Sequence, residues 1–299
     1  MSAALHQILV IFIPLIAGFL LRKLKIMTDG GTKELTAVVL NVCLPGMMFS
    51  TIISTSVQMD TGGVLLYIAL AAGTLLLSLL CGKLFTFLTK TPKADRGVYE
   101  FAIFAGNAGY VGIPVCIAIF GQDCGFYAAL FNIPFTLLCF SLGISLLAGK
   151  VSLRRILNPA FLISVAAVLL YLFRVPVPAI VTDMASFLGQ ATSPCAMLVI
   201  GSTLGAVPFR EIFTEWRFLP FLAVRLFAVA ALVWLLIGLL PLDPLAKGVL
   251  VMMAAMPTAT NATMLSSLYG GNTALSAKLV FLSTVFSIIS MPLWGAFLT

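Results

Sequence analysis

Two runs rich in glycine, proline and asparagine carry the chemistry of this chain. Ala105-Gly106-Asn107-Ala108-Gly109-Tyr110-Val111-Gly112-Ile113-Pro114 interrupts one apolar segment, and Met256-Pro257-Thr258-Ala259-Thr260-Asn261-Ala262-Thr263 interrupts another far downstream. Gly and Pro break the helical ladder, and in lipid the freed N–H and C=O groups survive only where they line a cavity or meet another segment. The second half of a helix broken at mid-membrane begins with exposed N–H donors and a positive dipole end, which suit a small carboxylate without any buried Lys or Arg. Asn amides add donors for the anion and acceptors for a proton or cation. Paired breaks in two halves of a chain point to the binding site of a secondary transporter. The candidate substrate-binding residues are Asn107, Gly109 and Pro114 at the first break, and Pro257, Thr258, Thr260 and Asn261 at the second. Asn41, with Pro45 and Pro194, adds irregular or polar character to other apolar stretches. Asn41 has two readings, as a ligand or as a hydrogen bond across helices worth about 1 kcal/mol.

The elements that position these runs follow from composition. Apolar residues make up 61% and charged residues 9%, against roughly 25% charged in soluble domains. This is the composition of an all-α polytopic membrane protein. About 20 residues are needed per span, and ten apolar stretches answer, near 5–21, 35–56, 63–88, 98–120, 125–148, 157–173, 180–205, 218–240, 246–268 and 274–298. Pro45 and Pro194 lie 149 residues apart (194 − 45), as do Gly121 and Gly270 (270 − 121), the glycines that end the two interrupted stretches. At the same offset Met48 meets Met197 and Leu130 meets Leu279. A shared offset of half the length argues for an internal duplication, with repeats at 1–149 and 150–299. Five spans per repeat force the second copy to be inverted.

Charge placement orients the chain. The odd loops carry Arg22, Lys23, Lys25 and Lys33, then Lys90, Lys93 and Arg96, then Lys150, Arg154 and Arg155. Even loops hold mainly Asp60, Asp123, Asp183 and Asp243, with Arg174 and Lys247 as exceptions. The positive-inside rule puts the odd loops in the cytoplasm and both termini outside, in a plasma or inner membrane. The net charge of +7 is thus a topology signal, and scattered cations form no nucleic-acid patch. Arg225 lies about eight residues into its span, roughly 12 Å from the cytoplasmic end. It reads either as a cation facing a cytoplasmic vestibule or as one snorkelling to headgroups; Lys83 and Lys278, nearer span ends, are expected to snorkel.

Several classes are disfavoured. No basic n-region or cleavage site marks a signal peptide at the first span. Loops of about a dozen residues at most leave no room for a nucleotide-binding domain, and Gly143 to Val151 fails the phosphate-loop spacing. A single histidine, His6, rules out a HExxH zinc site, and no serine has a histidine base, so neither an enzyme nor a resident cofactor or metal is expected. The six cysteines show no CxxC spacing and read as small buried hydrophobes, with Cys124 nearest an outer loop.

The runs quoted above, together with Leu40-Asn41-Val42-Cys43-Leu44-Pro45 and Tyr269-Gly270-Gly271, resemble the auxin efflux carrier family, whose bacterial members include malate permeases. The resemblance covers essentially all 299 residues. It implies ten helices, a scaffold of spans one, two, six and seven, and a transport domain of spans three to five and eight to ten. Spans four and nine would cross at their breaks, with Asn107 and Asn261 flanking the substrate and Pro114 and Pro257 shaping the site. An elevator-like movement and a homodimer through the scaffold are further implications. The sequence departs in one respect, since no acidic residue is evident near either break to bind Na⁺ or H⁺. A potential-driven anion, worth about 2.3 kcal/mol per charge per 100 mV, needs none. The expectation is a carrier of mono- or dicarboxylates such as malate or auxin-like acids. A sodium-coupled symporter of the bile-acid type is the alternative, and a passive anion channel a more distant one.

Overall fold

The computed structural model describes residues 3–148, 158–206 and 217–299. The basic cluster Lys150, Arg154 and Arg155 lies outside the described residues. In chain order the helices are α1 (Ala3–Lys23), α2 (Asp29–Ile53) and α3 (Thr61–Leu88), α4 (Lys93–Phe104), then α5 (Ala108–Phe120) and α6 (Cys124–Leu147). There follow α7 (Pro159–Leu172), α8 (Ala179–Ala206) and α9 (Phe218–Gly238), α10 (Pro244–Ala255), α11 (Asn261–Tyr269) and α12 (Thr273–Leu298). No strand occurs among the described residues, and the β-type pairing there is a single isolated bridge.

Six of these helices, α2, α3, α6, α8, α9 and α12, are long and apolar enough to cross a membrane. Their outer faces present Leu65, Leu80, Phe87, Phe187, Leu219, Leu235 and Ile289 as exposed side chains. In water such a belt would aggregate; in a bilayer it is solvated by acyl chains. By contrast α4 and α10 have 12 residues each, about 18 Å of helix, against a hydrocarbon thickness of about 30 Å. Neither is long enough to cross it alone, and α5 and α11 follow them beyond short breaks.

Polar caps set where helices start. Thr28, Asp60, Asn158 and Asn272 accept from Gly31, Gly63, Phe161 and Leu275 N–H groups at 3.0–3.1 Å. Capping explains why α2 begins at Asp29, before the apolar run expected from 35: the helix runs out past the lipid-facing stretch to its cap. Gly121 and Gly270 end α5 and α11 at φ of 90° and 78°, a region open to glycine.

Packing is closest between α1 and the second part of α8. A Cβ at Gly18 would lie 2.2 Å from the Leu198 carbonyl oxygen, and one at Gly201 would lie 1.9 Å from that of Leu15. The two backbones therefore touch, the usual solution where lipid supplies no hydrophobic force between helices. Elsewhere the core is aromatic: Phe85 of α3, Tyr99 of α4 and Phe221 of α9 stack with centroids 5.5–6.4 Å apart. All six cysteines are free, and Cys124 is fully buried.

Candidate functional site

The two breaks meet. Asn107 N–H donates to the Pro257 carbonyl and Ala259 N–H to the Ala105 carbonyl, both at 2.8 Å, forming an antiparallel bridge centred on Gly106 and Thr258. The backbone groups freed where α4 and α10 stop are thereby paired with each other, as a lipid environment demands. Beyond the bridge the Asn107 carbonyl accepts from Gly112 and Val111 at 2.9 and 3.3 Å and opens α5 as a widened π turn, Ala108–Gly112. The local cause is Pro114, which cannot donate to the Tyr110 carbonyl four residues back. Pro45 stands in the same relation to Asn41, and α2 widens at Val39–Cys43.

A cavity of about 270 Å³ lies beside this bridge. Its walls come from α2 (Thr36, Asn41, Leu44, Met48), from α5 and the residue before it (Asn107, Gly109, Tyr110), and from α6 (Asn132, Phe135, Thr136, Phe140). The start of α7 (Asn158, Pro159), α8 (Val199, Thr203) and the second break (Ala259, Thr260, Asn261) complete it. Among the described residues no ionised side chain lines it. Its polarity comes from five asparagines, four threonines and a tyrosine.

The hydrogen bonding of these groups is uneven. Asn41 Nδ2 donates to Ala37 of its own helix at 2.8 Å, and Asn158 Oδ1 caps α7. Asn107 and Asn132, 3% and 5% exposed, have no partner for Nδ2, and neither Tyr110 Oη nor Asn261 Oδ1 has one. A buried amide left unpaired costs roughly 1–3 kcal/mol. Around one cavity, the two Nδ2 groups and the Tyr110 hydroxyl are poised for a ligand that accepts hydrogen bonds, and Asn261 Oδ1 for one that donates. The first turns of α5 and α11 add main-chain N–H groups and two positive dipole ends.

The residues singled out from sequence fall into three sets. Asn41, Asn107, Gly109, Thr260 and Asn261 line the cavity together, although they come from three distant stretches. Pro114, Pro257 and Thr258 belong to the two broken segments but do not line it. Thr258 is fully buried, its hydroxyl donating to Ala102 at 2.9 Å and its N–H to Ser283 Oγ at 3.1 Å. Arg225 reaches neither a vestibule nor the headgroups: it is 1% exposed, and its Nη1 donates to the Ile103 and Ala254 carbonyls at 3.1 and 3.2 Å. Depth along a helix axis left open which way the side chain turns, and here it turns inward to the ends of α4 and α10.

Sequence reasoning missed Asn132, Tyr110 and Thr136. An asparagine at mid-span in α6 was itself a signal, since amides in hydrocarbon need partners. It also passed over Glu100, a buried carboxylate on α4 that accepts from Thr86 Oγ1 at 2.9 Å.

An apolar-faced helical chain with a buried polar cavity between two broken helices is built as a membrane transport protein. The family model described as "Membrane transport protein" matches residues 3–150 and 143–295. The chain belongs to that family, the auxin efflux carrier family, and is a transporter and not an enzyme. It is 24% identical over 304 residues to an "Uncharacterized transporter" of Methanocaldococcus jannaschii, covering 96% of both chains. A second "Uncharacterized transporter", from Methanothermobacter thermautotrophicus, is 24% identical over 98% of both. A Rhizobium meliloti protein named "Putative malonate transporter" is 24% identical over 274 residues, 86% of this chain and 84% of that one.

Proposed function

We propose that this protein is a secondary carrier of small organic anions, mono- or dicarboxylates of the size of malonate or malate. The observation that carries the reading is the uncharged cavity at the bridge, where Asn107 and Asn132 present unpaired amide donors. A carboxylate held there accepts from Nδ2 groups and from the opening turns of α5 and α11, and leaves without breaking a buried ion pair. Tight ion pairing would slow release, whereas neutral donors and half-helix dipoles permit turnover. The name of the Rhizobium meliloti relative, which specifies malonate, supports the substrate class.

We further propose that the fold is ten spans in two inverted five-helix repeats, 1–149 and 150–299. The common offset of 149 residues for Pro45 with Pro194 and Gly121 with Gly270 supports it, and so does the pairing of the two breaks. Spans three to five and eight to ten would move as a transport domain against a scaffold of the rest, elevator fashion, within a homodimer with both termini outside the cytoplasm.

The test is counterflow in proteoliposomes preloaded with unlabelled malonate or malate. Uptake of labelled substrate by wild type, reduced at least 10-fold in Asn107→Ala and Asn132→Ala, is expected. Full rates in both variants would move the substrate elsewhere, and flux without counterflow would indicate an open pore.

A further inference from the structure

The guanidinium of Arg225 sits where the two broken helices end. Ile103 and Ala254 are the penultimate residues of α4 and α10, and Nη1 bonds both of their carbonyls, at 3.1 and 3.2 Å. Nη2 lies 2.1 Å from the position a Cβ on residue 106 would take, so Gly106, the centre of the bridge, admits the guanidinium. Trp294 of α12 donates Nε1 to the Leu226 carbonyl at 2.9 Å and so braces the π turn Val224–Ala228 that bears Arg225.

Arg225 hydrogen-bonds main-chain carbonyls, and among the described residues no carboxylate pairs with it. Yet a buried charge must be compensated. Each helix C-terminus carries roughly half a negative elementary charge, so two convergent ends amount to about one. The two half-helix ends thus act as the counter-charge of one cation. In carriers with discontinuous helices, C-terminal half-helix carbonyls are also where a coupling Na⁺ is held.

We propose that Arg225 is a tethered cation occupying the position between the ends of α4 and α10 that a co-transported ion would otherwise fill, so the carrier moves its anion without a coupling cation. Arg225 is a positioning residue: it lies outside the cavity lining and fixes the bridge that carries Asn107. The inference rests on the carrier reading, while its main test is independent of substrate.

Thermal unfolding of purified protein in detergent is measured with choline, Na⁺ or guanidinium as chloride salts at tens of millimolar. Wild type is expected to show no difference among them. Arg225→Ala opens a cation-sized gap between two negative helix ends, and its Tm is expected to rise saturably by about 2 °C or more with guanidinium or Na⁺. Arg225→Gln, shorter and neutral but still polar, is the second variant and is expected to gain the same sensitivity. A residue that only fills space would confer none. A variant that folds and ignores both cations overturns the proposal, as does a wild-type protein stabilised by Na⁺. In proteoliposomes, exchange by wild type is expected to be unchanged when choline replaces Na⁺, and exchange by Arg225→Gln to become Na⁺-dependent. Should malonate and malate both fail as substrates, the substrate reading falls while the unfolding experiment still decides the role of Arg225.

Discussion

The main-chain N–H of Asn107 bonds the Pro257 carbonyl at 2.8 Å, so the residue that offers a free amide to the cavity is pinned by its backbone to the other broken helix. Backbone and side chain of Asn107 thus serve different ends, one holding the bridge and the other facing a ligand. Substitutions of the side chain alone separate them.

Asn107→Ala and Asn132→Ala are expected to raise KM for the carried anion about 10- to 100-fold, since a hydrogen bond to a charged group is worth about 1.5–3 kcal/mol. Because neither Nδ2 has a protein partner to lose, Tm should stay within a few degrees of wild type. Transport kinetics and thermal unfolding of the same preparations check both halves of the statement.

Gly109 stands beside Leu44 and Asn132, with 3.4 and 3.7 Å from its virtual Cβ to their nearest atoms. Gly109→Ala should fold normally and narrow the cavity, weakening bulkier acids more than malonate. Gly109→Leu should block transport of all. Competition of labelled malonate by acids of increasing size reads this out, and an unchanged order of preference would remove Gly109 from the wall.

Thr258→Val should behave in the opposite sense to the asparagine variants. It removes the hydroxyl bond to Ala102 while the site's lining is untouched, for a loss of roughly 1–2 kcal/mol in stability. Transport by the folded fraction is expected to keep the wild-type KM.

Asp123, outside the spans, accepts from Ser56 Oγ at 2.7 Å and Ser56 N–H at 3.2 Å, tying the α2–α3 loop to the start of α6. The Ser56 hydroxyl, then its N–H, hold this carboxyl below its ordinary value of 3.8. A carboxylate depressed on folding stabilises fully above that ordinary value, and the contribution is lost as pH falls through the lower folded one. Limited proteolysis within 54–60 should therefore accelerate only in strong acid. In Asp123→Asn it should be fast at neutral pH as well, with the acid step abolished.

How much of this was open to reading from residues alone differs by feature. Proline and glycine in lipid have few physical outcomes, so both breaks and the asparagines within them could be located. Their meeting at one bridge could be expected only through family resemblance, because hydrogen bonding between residues so far apart leaves no local pattern. Asn132 went unrecognised since a lone amide on a regular helix reads like any interhelical hydrogen bond. For Arg225 the depth was legible, but the rotation of α9 that aims it at Ile103 and Ala254 is set by packing such as that of Trp294.

Gly106 and Thr258, partners in the bridge, stand 152 positions apart (258 − 106). During synthesis the first break therefore enters the bilayer with its amides unmatched, and waits through most of translation for the strand that completes it. Pairing so distant is slow to form. A chain that stops before Pro257 lacks both partners of that bridge, the Pro257 carbonyl and the Ala259 N–H, so the first break cannot be completed without the second.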